Sequence, residues 1–284
     1  MQNIMFFNIS LYEAIFYFSI YAFLGWCLEV AYAAFKTGGF VNRGFLNGPV
    51  CPIYGFGIVM IIIILDPIRN NLVLLFIFAA IITSALEYLT GFVLQKAFHH
   101  RWWDYSNVPF NINGYICPQF SLIWGAAGVF VIKVVHPVIY DIVNLLPRLA
   151  GNIILAVIVI SFLIDLCSAV QTVLKFNRRL KMIDEISNKM RSSSDALAEE
   201  ISKNTIELKK IYNEDSVEFK KKHEAQILEI KSKYESELMK LKESYAKITA
   251  PRSILHRRII KAFPNIKSTN YFEALEKLKD IVLK

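Results

Sequence analysis

Basic residues are missing from the first 35 positions, Lys36 being the first Lys or Arg of the chain. A cleavable leader needs a basic n-region, so the apolar opening segment is expected to remain as a span. Charge is scarce well beyond it. Residues 1–174 hold seven Lys/Arg and seven Asp/Glu, so the net charge of +8 rests on the last 110 residues, with 25 basic and 17 acidic side chains. Four cysteines, Cys27, Cys51, Cys117 and Cys167, lie in or beside apolar segments, which excludes a secreted disulfide scaffold. There is no Walker A run, G-x-G-x-x-G, G-x-S-x-G or H-E-x-x-H. A soluble enzyme built on those signatures is excluded, and no catalytic activity or cofactor is expected.

What is present is apolar: 55% hydrophobic residues and a mean hydropathy of +0.40 place the chain in a membrane. A helix needs about 20 apolar residues to cross a bilayer with its amides satisfied. Five stretches qualify, at about 11–35, 52–65, 72–95, 118–135 and 149–176. The second is short and reaches a full span only if Gly48–Cys51 also enters. The expected fold is all-α and polytopic, with a transmembrane domain over 1–176, a coiled coil over 177–250 and a basic amphipathic helical tail over 251–284. Keeping the charged tail in the cytoplasm puts the amino terminus outside the cell membrane. Lys36, Arg43, Lys96 and Arg101 in the inner loops, against Arg69, Lys133 and Arg148 outside, agree weakly with that orientation.

A repeat organises the first domain. FLNGPVCPIYG (45–55) and NINGYICPQFS (111–121) share N-G-x-x-C-P, and each follows a Leu-Glu pair, Leu28-Glu29 and Leu86-Glu87. The chain therefore reads as a duplicated two-helix hairpin, 11–65 and 72–136, plus a fifth span. Copies of two spans each share one orientation, as in parallel-repeat transporters. Asn-Gly favours a tight turn with positive φ, and Pro is tolerated in a first helical turn. Cys51 and Cys117 then fall near the N-caps of the return helices. Their free N–H groups suit an anionic group or need only water.

Glu29 and Glu87 lie about two turns inside their spans, where an unpaired charge costs roughly 2 to 3 kcal/mol. Both should face the bundle interior, to bind a cation, relay protons or pair structurally with Arg43, Arg101, Trp26 or Tyr54. Asp165 in the fifth span reads as helix-packing glue. In HHRWWDYS (99–106), His99, His100 and Asp104 are metal-capable, but adjacent helical histidines point about 100° apart, and no metal is expected. Trp102, Trp103, Tyr105, Tyr115 and Trp124 suit an interfacial belt.

With no glycine after Gly151 and no proline between Pro147 and Pro251, one helix over 177–249 would span about 110 Å. Ile227, Ile230, Tyr234, Leu238, Leu241, Tyr245 and Ile248 form a heptad seam. Ile183, Ile186, Met190, Leu197, Ile201, Leu208 and Ile211 form a looser one, with Asp215 and His223 between them. The tail is read as a coiled coil, either between two copies or folded back on itself. Four basic residues interleaved with Ile254, Leu255, Ile259 and Ile260 in 252–261 suit anionic lipid; no recognition module for nucleic acid is present.

FLGWCLE, NRGFLNGPVCPIYGFG, LEYLTG, WWDYS and NGYICPQFSLIWG, in this order over 17–147, resemble the ABC-transporter type IV (CmpB-like) family of bacterial membrane permeases. The resemblance puts Trp26, Glu29, Asn42, Arg43, Cys51, Tyr54, Glu87, Asp104, Asn113 and Cys117 on motif positions. It implies transport, with any ATPase on a separate subunit, since this chain has no ATPase motif. The expected function is a permease subunit passing a small solute or ion through a vestibule lined by Glu29 and Glu87. Trp26, Arg43, Asn47, Cys51, Tyr54, Asp104, Asn113 and Cys117 complete that site. The alternatives are a non-transporting scaffold whose coiled coil spaces partners, and a lipid-modifying enzyme using Cys51 or Cys117, which lacks a histidine base within the spans.

Overall fold

The computed structural model describes residues 5–6, 9–211, 217–250 and 254–283. A two-residue ladder, β1 (Met5–Phe6) with β2 (Ile9–Ser10), leads into α1 (Leu11–Thr37). Ser10 and Glu13 close a capping box there, satisfying amides at the helix start, and Gly38 at φ 73° ends the helix. α2 (Pro52–Leu65) continues as a 3-10 turn over Asp66–Ile68, and α3 is Leu72–Phe98. β3 (His100–Arg101) precedes α4 (Pro118–Phe130), which passes through a π turn at Val131–Val135 into α5 (His136–Leu145). Pro137 cannot donate to the helix ladder, and the wider turn sits directly before it. α6 (Arg148–Ile211), α7 (Val217–Thr249), α8 (Ile254–Ala262), β4 (Lys267–Ser268) and α9 (Phe272–Leu283) follow.

Among the described residues four helical stretches are long and apolar enough to cross a membrane: 11–37, 72–98, 118–145 and 148–206. The apolar stretch expected to end at Val135 runs ten residues further, to Leu145, because the π turn carries the helix past Pro137. The stretch 52–68 is apolar but shorter.

The chain divides into two compact units. The first is Met1–Leu174 with Ser253–Asn270 and Leu283; the second is Lys175–Arg252 with Tyr271–Val282 and Lys284. The expected amphipathic tail over 251–284 is thus shared between them. In the first unit α1 packs on α2 and α3 on α4 through glycines. A Cβ on Gly55 would stand 2.6 Å from the Phe18 carbonyl, and one on Gly125 3.0 Å from that of Phe76. Small residues at these crossings let backbones approach where lipid offers no hydrophobic drive to pair helices. Phe35, Ile153, Ile160 and Ile164 are more than half exposed, a surface suited to hydrocarbon rather than water.

Residues 254–270 form a strap across the loops that precede α2 and α4. Arg258 donates to the carbonyls of Gly44 and Leu46, each at 2.9 Å, and of Phe45 at 3.2 Å. Ile259 and Ile260 are buried, and Phe263 meets Trp102 edge-on at 4.8 Å. β4 pairs with β3, Thr269 N–H donates to the His99 carbonyl at 2.9 Å, and Lys267 reaches Asp104 at 2.7 Å. The interleaved isoleucines expected to meet lipid are instead inside the protein for Ile259 and Ile260, because Arg258 has three backbone acceptors to satisfy. Arg252 lies outside the described residues.

In the second unit α7 runs antiparallel to the second half of α6. Arg179 donates to the carbonyls of Ile248 at 2.9 Å and Ala250 at 2.8 Å, capping the α7 terminus. Tyr245 meets Ser187, and the Tyr234 hydroxyl donates to Glu200. The seam residues Ile227, Ile230, Tyr234, Leu238, Leu241, Tyr245 and Ile248 are partly buried while their described neighbours up to Lys247 are exposed. A single helix over 177–249 does not form; folded back, the two apolar stripes leave water together. The side chains of Leu208, Ile211, Asp215 and His223 lie outside the described residues. α9 buries Ala274, Leu275 and Leu278.

Candidate functional site

Cys51 and Cys117 are the N-cap residues of α2 and α4, each followed by Pro at the first helical position, and neither thiol caps its helix. Both are buried and unbridged. The two Asn-Gly pairs before them differ. Asn113 and Gly114 have φ of 53° and 72°, as the sequence leads one to expect. Asn47 and Gly48 do not adopt positive φ. Asp165 of α6 instead accepts from both of their amides, at 3.1 Å from Asn47 and 2.7 Å from Gly48, and from the Asn47 side chain at 3.0 Å. A carboxylate taking adjacent N–H groups does for this loop what a left-handed turn does for the other.

The 44–48 loop is therefore held from two sides, its amides by Asp165 and its carbonyls by Arg258. Burial draws the Arg258 guanidinium below its usual range, and the Asp165 carboxylate opposes this. The Trp26 indole donates to Asn42 at 2.8 Å rather than to Glu29, and Asn42 donates to the Asn47 carbonyl at 2.7 Å. Trp26 and Asn47 are thus loop-fixing residues.

Glu29 accepts from the Tyr54 hydroxyl at 2.7 Å and lies 3.5 Å from the Arg43 Nε, the structural pairing named as the alternative to a free carboxylate. Glu87 is buried at 8% exposure. It accepts from Tyr105 at 3.2 Å, and the Trp124 indole also faces it. Its Oε2 is buried without a hydrogen-bond partner of ordinary geometry among the described residues. The rings of Tyr54 and Trp124 meet edge-on at 5.6 Å, so the two carboxylate neighbourhoods join through aromatic side chains. Burial, then the charge and hydrogen bond of Glu87, with smaller contributions from Cys117 and Glu29, hold the Tyr105 phenol well above its usual range. Tyr105 therefore remains a donor to Glu87.

The aromatic belt expectation fails for Trp102, which is packed inside the protein. Trp102 is buried at 4% exposure, Trp103 donates to the Tyr115 carbonyl at 2.9 Å, and Tyr105 stacks on Phe120 at 4.8 Å.

Asp104 stands apart from the carboxylate pair. It accepts from Ser106 and Lys267 and lies 3.6 Å from Arg101. Burial alone would raise its pKa, but the hydrogen bonds from Lys267 and Ser106 outweigh this and hold it at about 2. Its contribution is complete above the ordinary carboxylate range and is lost as pH falls through about 2. Because Lys267 is half exposed and its charge is screened by water, we expect Asp104→Asn to cost about 1 kcal/mol of strap stability. Amide exchange across β3 and β4 should report it; equal protection in wild type and variant would refute it. Asn113 donates to the Tyr88 hydroxyl at 2.9 Å, beside an open cavity of about 410 Å³ lined by Tyr88, Phe92, Arg101 and Tyr115. Among the described residues no three His, Cys, Asp or Glu side chains group as metal ligands.

Sequence reasoning missed Tyr105 and Trp124 as partners of Glu87, and it missed Arg258 and His136. Only the Glu87 burial gave a signal for the first two, and nothing local marks Arg258.

The chain belongs to the family described as "Putative ABC-transporter type IV", whose model matches residues 16–170. The match takes in both Asn-Gly loops, Glu29, Glu87 and Asp165, and ends before the strap. No curated protein and no solved structure matches the chain.

Proposed function

We propose that this protein is the membrane-spanning subunit of an ABC-type transport system, passing a small solute or ion by way of Glu29 and Glu87. The observation that carries the reading is Glu87: a carboxyl group buried in a helix bundle, its Oε2 short of a hydrogen bond of ordinary geometry among the described residues, is retained against a cost of several kcal/mol. Tyr54, Trp124 and Tyr105 link it to Glu29, whose pairing with Arg43 is weaker and more exposed. In this reading the shorter α2 completes a fifth span, and the hairpins over 11–65 and 72–136 are two copies of one unit. The amino terminus lies outside, and the α6–α7 hairpin is an intramolecular coiled coil in the cytoplasm. A separate ATPase would dock beside the strap. The buried thiols of Cys51 and Cys117 serve packing in this reading.

The test uses proteoliposomes of the full chain with pyranine as a proton probe and sodium- and potassium-sensitive dyes. Protein-dependent flux of one ion is expected, reduced about tenfold or more by Glu87→Gln and less by Glu29→Gln, at equal incorporation. Absent flux in wild type, or wild-type flux in Glu87→Gln, overturns it.

The scaffold reading is favoured by the separate compactness of the second unit. Joining Asn188 to Tyr245 through a short glycine linker shortens the hairpin. A scaffold would lose its cellular function with this change and keep it with Glu87→Gln.

A further inference from the structure

Glu13, Tyr17, Tyr21, Gly25 and Glu29 follow one another along α1 at intervals of four residues. Residues four apart share a slowly drifting helix face, and this series covers about 24 Å. Each step drifts about 40°, so this mostly polar lane winds about 160° round the helix between Glu13 and Glu29. Tyr17 and Tyr21 are 1% and 3% exposed, so the lane faces the bundle. At Gly25 it passes beneath Tyr54, whose hydroxyl reaches Glu29.

His136 lies against the middle of this lane, at the first residue after the π turn. The Tyr21 hydroxyl is 3.2 Å from its Nδ1, and the Tyr17 ring meets the imidazole edge-on at 4.9 Å. The hydroxyls of Tyr12 and Tyr17 are buried with no hydrogen-bond partner among the described residues. An unpartnered phenol whose ring meets an imidazole, as Tyr17 does, is expensive inside an apolar bundle, and such groups persist where they exchange hydrogen bonds with water or protons. A π turn at the same place widens the helix, and such turns recur at working positions. Ending the span at Val135 hid this residue from the sequence.

We infer that His136, with Tyr17 and Tyr21, is a proton-binding site within the membrane domain, and that the ion handled at Glu87 is the proton. The second half rests on the proposed function; the first does not. The step is the making and breaking of one N–H bond on the imidazole, with water as proton donor and acceptor. The groups around it are Glu13, Tyr17 and Tyr21 on α1, Tyr140 on its own helix, and the Asp66–Arg69 ion pair after α2. Arg148 of α6 stands over the Tyr12 ring at 4.5 Å. Glu13 is held by the Ser10 amide at 2.8 Å, which leaves the imidazole as the base at the centre of the lane.

The test is nitrogen NMR of the full chain in lipid nanodiscs with labelled histidine, the His136 signal being the one lost in His136→Phe. It is expected to pass reversibly from the neutral to the protonated form between about pH 8 and about pH 5, the range in which histidine switches. A signal that stays neutral throughout overturns the site. In pyranine-loaded proteoliposomes His136→Phe and His136→Gln are both expected to lower proton flux about tenfold. Titration with unchanged flux overturns the proton as the ion handled and leaves the reading of Glu87 standing. Lost flux in the His136 variants with normal flux in Glu87→Gln supports the His136 site and overturns the permease role of Glu87 instead.

Discussion

Replacing Arg258 with alanine is expected to release the entire strap, raising amide exchange across α8 and β4 about a hundredfold or more while α1 and α3 keep their protection. The guanidinium satisfies three carbonyls of the 44–46 segment. Hydrogen bonds from a charged donor contribute about 1.5 to 3 kcal/mol each, and removal leaves buried acceptors unpaired. A net loss of about 3 kcal/mol corresponds to roughly two powers of ten in an opening equilibrium. Arg258→Lys keeps the charge but lacks the fork that spans adjacent carbonyls, so it should fall between. Limited trypsin cleavage at Arg257 and Lys261, fast in the alanine variant and slow in wild type, checks the result independently. Unchanged protection of β4 in Arg258→Ala would mean that β3 pairing and Lys267 hold the strap alone.

The second large effect is steric. Gly55→Ala places a methyl 2.6 Å from the Phe18 carbonyl oxygen, a backbone atom that cannot swing aside, whereas Gly57→Ala meets only the Leu86 Cδ2 at 3.4 Å. Overpacking of this kind costs about 1 to 3 kcal/mol, and more where backbones are in contact. It would part α1 from α2, strain the Cys51 amide bond to the Ala22 carbonyl and pull Tyr54 from Glu29. Gly55→Ala is therefore expected to lower the thermal midpoint in detergent sharply and Gly55→Leu to yield no folded protein, with Gly57→Ala near wild type. Equal midpoints for the two alanine variants would show that the crossing is not set by this contact.

Much of the architecture could be read from residues in order. Pro52 and Pro118 mark the starts of α2 and α4 because proline suits a first helical turn wherever the helix goes. The seven seam positions of α7 are the partly buried ones among its described residues because burial follows the period of the helix. The Asn47–Gly48 turn was misjudged because its conformation is decided by Asp165, 118 residues away from Asn47. Trp102 was misjudged because a tryptophan reads alike in a belt or a core until its partners are known.

The candidate site divides in the same way. That Glu29 and Glu87 sit inside apolar helices follows from the sequence, since a carboxylate among twenty hydrophobic residues goes where they go. Which of them is paired with a cation and which meets only a phenol and an indole does not, because Arg43, Tyr105 and Trp124 reach them from other segments of the chain.

The sequence by itself determined that the chain enters a membrane, where most of its helices run, and which stripe of the tail leaves water, all of which depend on composition and on the pitch of one helix. The tertiary structure alone decided that residues 254–270 strap both Asn-Gly loops and that His136 meets Tyr21. Those pairings are 214 residues apart for Arg258 and Gly44 and 115 for His136 and Tyr21, and nothing local to any of these residues specifies a partner that only packing brings within reach.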